Sequence, residues 1–162
     1  MDRHVLGIGK FWLNLASLEL LLRLFLVKKS REREIGLELN KGDRCELTHL
    51  TNYDSFGVLA RKYNELASPQ QRITAEPIEH FRDALAHGRS LTMDPSAPMT
   101  IVKFSKADKA TGTVTVEFRE TMTDDVIRGA VTSVFAAISA VSEQLASEFP
   151  GTASFVNSRE DR

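Results

Sequence analysis

From Phe11 to Val27 the apolar residues fall on two arcs of one helix. Phe11, Leu15, Leu18, Leu22, Phe25 and Leu26 form the first arc, and Leu13, Ala16, Leu20, Leu24 and Val27 the second. Glu19 and Arg23 separate the arcs on one side, and Lys10, Asn14 and Ser17 on the other. A helix that is apolar on two sides needs two partners. The first arc reads as core, the second as further core or a subunit contact. A membrane span is disfavoured, because charges interrupt the run and it falls short of the roughly 20 residues a span requires.

Beyond Val27 the charge-dense stretch Lys28 to Lys41 carries the helix into solvent with mixed signs. A long irregular connection follows, which Leu37, Leu39, Leu47 and Leu50 are expected to pin to the bundle. Thr51 with Asp54 signals a helix N-terminus. Phe56, Leu59, Ala60, Tyr63 and Leu66 then keep helical spacing up to Ser68-Pro69, with Tyr63 as a packing aromatic. Glu76-Pro77 opens a third helix, striped by Ile78, Phe81 and Leu85. Gly88 is expected to end it with a positive φ.

The period then changes. Leu91 to Met99, with Pro95 and Pro98, reads as a loop. Ile101–Phe104 and Val114–Phe118 alternate as a β-hairpin with Val102, Phe104, Val114, Val116 and Phe118 facing inward and a turn at Ala107 to Gly112. Thr123-Asp124-Asp125 starts a last helix, whose stripe is Ile127, Val131, Val134, Ile138, Val141, Leu145 and Phe149. Pro150-Gly151 ends it, and residues 152–162 read as a mobile polar tail. The expected fold is mainly α, a bundle of about four helices over residues 1–151 with a β-hairpin at about 100–119 inserted before the last helix.

Composition narrows the chemistry. With 21 basic and 22 acidic residues the net charge is −1, so no overall field draws in nucleic acid and any such binding must be local. The single Cys45 excludes an intramolecular disulfide and a multi-cysteine zinc site. It reads as a buried or half-buried side chain in a reducing cytoplasm, and the N-terminus carries no trusted signal-peptide pattern.

The third helix alone reads as chemistry. His80, Asp83 and His87 share the face opposite Phe81 and Leu85, while Arg82 lies at the edge of the apolar stripe. Arg82 and His87 are about 140° apart on an ideal helix, so one copy does not easily aim both at one atom, whereas two copies about a symmetry axis can. An Arg holds phosphate through a planar fork of donors, and a His near neutrality takes or gives a proton. Attack of a ribose 2′-OH on the adjacent phosphate requires that pair. His80, Asp83 and His87 at i, i+3, i+7 could instead hold zinc. A solvated polar face explains them more simply, and neither metal nor cofactor is expected. Lys103, Lys106, Lys109 and Arg119 make the hairpin locally basic, as surface residues that discourage edge pairing also would.

Arg82-Asp83-Ala84-Leu85-Ala86-His87, with a polar residue after the Arg and a glycine after the His, resembles the R-x4-6-H signature of the HEPN superfamily. That resemblance implies an all-α, commonly dimeric fold and a metal-independent endoribonuclease of toxin or defence type. Arg82 would then bind the scissile phosphate, His87 act as general base or acid, and Asp83 orient one of them. A homodimer, an RNA substrate and a cognate antitoxin are the partners implied, with no membrane. The alternative within the same resemblance is a catalytically inert dimerisation or regulatory module. Some toxin members carry a Tyr soon after the His; here Gly88-Arg89-Ser90 follows, so any role of that Tyr is absent or filled otherwise.

Overall fold

A computed structural model describes residues 3–32, 40–91 and 97–150. It is mainly α: helices α1 (Arg3–Ser30), α2 (Phe56–Leu66), α3 (Glu76–His87) and α4 (Asp124–Glu148), a 3₁₀ turn at Pro69–Gln71, and strands β1 (Arg89–Ser90), β2 (Thr100–Phe104) and β3 (Val116–Thr121). The chain gathers into two compact units. One comprises Met1–Asn14 with Glu76–Val134, and the other Leu15–Ala75 with Phe135–Arg162. The polar tail expected at 152–162, and Leu37 and Leu39, lie outside the described residues.

The first arc of α1 is core throughout: Phe11, Leu15, Leu18, Leu22, Phe25 and Leu26 are all buried. The second arc divides. Val27 is buried, but Leu13 is 73% exposed and Leu20 is also exposed. By length and composition, His4–Ser30 and Asp124–Glu148 could each cross a membrane, a test that core helices of soluble proteins also pass. Only 22% of the most apolar window of each is buried, so both leave apolar surface uncovered.

In the second unit Phe25 meets Tyr63 edge-on, ring centroids 4.9 Å apart, and Phe56, Leu59 and Ala60 of α2 are buried while Leu66 is exposed. Gln144 of α4 accepts a hydrogen bond from the Ser68 hydroxyl at 2.8 Å. Leu47 does not pin the connection before α2 as expected, since it is 78% exposed, while Leu50 is half-buried. A charge holds it instead. The Arg23 guanidinium donates to the carbonyls of His49 (2.8 Å), Asn52 (3.1 Å) and Asp54 (2.9 Å) and to Asn52 Oδ1 (2.7 Å). Carbonyls of an irregular segment need partners, and a guanidinium supplies several donors at once.

Two further expectations about this segment fail. Cys45 is exposed. Helix α2 starts at Phe56, two residues after Asp54, with Ser55 as its N-cap. Thr51 and Asp54 serve the loop: the Thr51 hydroxyl donates to the Glu46 carbonyl, and the Asp54 carboxylate accepts from Lys62 and Asn52. The bond from Lys62 is the main reason the Asp54 carboxyl titrates below the usual carboxylate range.

Tyr63 carries a pH dependence of its own. Burial, with the Glu148 charge second, pushes its phenol up to about 12 from 10.0, and its hydroxyl donates to the Gln71 carbonyl at 2.9 Å. The folded pKa exceeds the unfolded one, so this contribution to stability is complete below the unfolded pKa and is lost as pH rises through about 12. Because the shift comes mainly from burial, it measures a penalty on ionising the phenol, on the order of 2–3 kcal/mol between the two pKa values, and not a bond of that strength. Denaturant titrations at intervals from neutral to strongly alkaline pH should show Tyr63→Phe less stable than wild type at pH 8, with the gap narrowing above pH ~10. A gap constant with pH would contradict this account.

In the first unit the N-terminal part of α1 and the first part of α4 approach so closely that a Cβ on Gly7 would lie 2.5 Å from Ile127 Cγ2. Phe11 packs edge-on against Phe81 of α3 at 4.8 Å. Helix α4 begins where acids and Thr123 predict: the Thr123 hydroxyl accepts from the Val126 amide at 3.3 Å, and Asp124 and Asp125 occupy the positive first turn.

The expected hairpin is part of a three-stranded antiparallel sheet in the order β1-β2-β3. Arg89 pairs with Val102 and Val102 with Arg119, and the register shifts between Lys103 and Phe104. The expected inward set is therefore wrong in part. Val102 is buried together with Ile101, whereas Val114 and Val116 are exposed. The central strand is covered at both of these neighbouring positions, and beyond the irregularity the alternation no longer selects a core side.

Candidate functional site

Helix α3 places the residues singled out in the sequence. It buries Ile78, Phe81 and Ala84, so its opposite side is free for polar groups. Its end is set by close approach rather than by a left-handed glycine. Gly88 lies outside the positive-φ set, but a Cβ there would stand 2.3 Å from the Ala84 carbonyl oxygen and 2.4 Å from Ile101 Cγ2. The chain can consequently pass from helix to sheet within one residue, and His87 stands at the junction.

Arg82 and Asp83 form an ion pair at 2.7 Å, part-buried on both sides. Lys103 of β2 reaches toward the other Asp83 oxygen at 3.9 Å and toward Glu117 at 3.4 Å. Asp83 therefore lies between two cations. Only Nη1 of the Arg82 guanidinium is engaged with Asp83, which leaves donors for an oxyanion.

His87 is exposed in the last turn of α3, the basic residue of that turn. It lines an open pocket of ≈ 290 Å³ with Arg89, Phe104, Ser105 and Val114. The Arg89 guanidinium lies 5.6 Å from the centroid of the Phe104 ring. Among the described residues no hydrogen bond or ion pair joins Arg82 to His87, as the 140° between them on an ideal helix leads one to expect. No group of three His, Cys, Asp or Glu side chains among the described residues is arranged to hold a metal ion, so His80, Asp83 and His87 do not converge as a ligand set.

The chain matches no protein-family model, no curated protein and no solved structure.

Sequence reasoning did not place Lys103, Arg89 and Phe104 beside the motif. Lys103 was visible only as one of several hairpin lysines, and Arg89 only as the second residue after His87. Strand pairing brings them to α3, and no local pattern in the sequence encodes that pairing.

Proposed function

We propose that this protein is a metal-independent endoribonuclease of the HEPN type that acts as a homodimer. The observation that carries this reading is the placement of Arg82 and His87 on the solvent-accessible part of one helix, with Asp83 ion-paired to the Arg and the His at an open pocket. A neutral His87 would take the proton of the ribose 2′-OH as its oxygen attacks the adjacent phosphorus. The protonated His87 of the second copy would give a proton to the departing 5′-oxygen. The products are a 2′,3′-cyclic phosphate and a 5′-OH end. Arg82 would stabilise the charge that develops on the non-bridging oxygens. Two copies are invoked because one helix points its Arg and its His in different directions.

The surface for that second copy is proposed on α1, where Val5, Leu6, Trp12 and Leu13 of the same unit are exposed. On an ideal helix these four fall within about 120° of one another, and apolar surface left exposed on one side in this way fits an interaction site. Protein is favoured over lipid there because α1 carries Lys10, Glu19 and Arg23, which a bilayer would penalise. A cytoplasmic location and a cognate antitoxin belong to the same reading. Light scattering should give a dimer mass at micromolar concentration, and Leu13→Glu should give a folded monomer that no longer cuts RNA. A wild-type monomer, or a monomeric variant that cuts at the full rate, would remove the composite site.

The direct test is incubation of wild type with a mixed RNA substrate, followed by end-group analysis. Fragments ending in 2′,3′-cyclic phosphate are expected. A folded dimer silent on every RNA tried favours the inert dimerisation module.

A further inference from the structure

Because Gly88 lets α3 run straight into β1, Arg89 is in register with the sheet two residues after His87. Residues directly opposite one another in an antiparallel ladder project from the same face. Arg89, Val102 and Arg119 form such a row. Phe104, two residues along β2, brings its ring to the Arg89 guanidinium. Ser105 and Val114 close the pocket against His87.

The lining is therefore an imidazole, a guanidinium over an aromatic ring, one apolar side chain and a hydroxyl, with no acid among them. A volume of ≈ 290 Å³ lies at the small end of the range for ligand sites and suits one flat ring rather than an extended ligand. The Ser105 hydroxyl is already engaged, donating to the Lys106 carbonyl and accepting from the Thr115 amide. Little in the lining is left to read the edge of a base, so stacking must dominate, and stacking tolerates any base.

We propose that this pocket holds the nucleobase adjoining the cleaved phosphodiester of single-stranded RNA, stacked against the Arg89–Phe104 pair, with Arg89 and Arg119 attracting the neighbouring phosphates. The proposal rests on the reading of His87 as the group that moves the proton, since that reading puts the scissile phosphate at the mouth of the pocket.

The test uses the full chain and a fluorescent 2′-O-methyl RNA oligonucleotide, which lacks the attacking hydroxyl and so reports binding without cleavage. Phe104→Leu, which keeps apolar bulk and removes the aromatic face, should weaken binding about tenfold. Arg89→Ala should weaken it to a similar degree and reduce the slope of log affinity against log salt by about 0.7, whereas Phe104→Leu should leave that slope unchanged. Arg89→Lys should retain the slope. Circular dichroism of each variant checks the fold. No binding by wild type, or wild-type affinity in both Phe104→Leu and Arg89→Ala, overturns the proposal. Binding that depends on Arg89 and Phe104 in a protein that cuts no RNA supports the pocket and rejects the ribonuclease reading. Cleavage with unchanged KM and affinity in both variants does the reverse.

Discussion

Arg82→Ala and His87→Ala should each leave a folded dimer that no longer cuts RNA, whereas His80→Ala should retain most of the wild-type rate. Loss of a general acid–base group removes about 10²–10⁴ of rate, and loss of a donor to a developing oxyanion about 10²–10³. Neither Arg82 nor His87 belongs to the core, so their truncation should cost little stability; Arg82→Ala frees Asp83 only in part, because Lys103 remains near. His80 is exposed on the same helix but outside the motif, which makes it the internal control. A metal-dependent reaction would behave differently, with His80, Asp83 and His87 lost alike and activity abolished by EDTA. Cleavage by the proposed mechanism should survive the chelator. Full activity in His87→Ala would exclude the mechanism.

Gly88→Ala should lower stability by about 3 kcal/mol, or roughly 10 °C in Tm for a domain of this size. Its Cβ would meet the Ala84 carbonyl oxygen, which is backbone, and the Ile101 side chain on the central strand. Neither can yield without moving α3 relative to β2 within the same unit. The substitution should also impair cleavage, because His87 is the preceding residue. Gly129→Ala provides the contrast. It lies in helix α4 with nothing within 4 Å of the added Cβ, so it should stabilise by about 0.5–1 kcal/mol. A Gly88→Ala protein that melts with wild type would mean that the helix-to-sheet junction is looser than its geometry indicates.

Helix periodicity in the sequence was sufficient to place α3 and α4 and the buried arc of α1, because side chains on a helix face a core at fixed intervals. It could not place the segment before α2. There the fixing interaction runs from Arg23 to backbone carbonyls, which have no identity in a sequence, and Leu47 was a plausible but wrong anchor. The hairpin was recognisable from alternation, yet its third strand is two residues long and its inward set depended on a register that shifts at Lys103/Phe104. The candidate site follows the same division. Arg82, Asp83 and His87 are spaced within one helix and could be read directly. Lys103, Arg89 and Phe104 reach the site through strand pairing, and are visible only once the sheet is assembled.

The direct passage from α3 into β1 also bears on motion. The last turn of a helix ordinarily frays, and its amides exchange with solvent at almost no free-energy cost. Here the Gly88 amide donates back to Ala84 at 2.8 Å and the Leu91 amide to Thr100 at 2.9 Å, so the backbone on both sides of Arg89 is tied down. Amides from Gly88 to Leu91 should then exchange as one cooperative unit with β2, more slowly than those in the 3₁₀ turn at Pro69–Gln71, where no residue is buried. His87 would keep a fixed backbone position while its ring remains free to turn, and its timing would follow the opening of the sheet rather than the unwinding of its own helix.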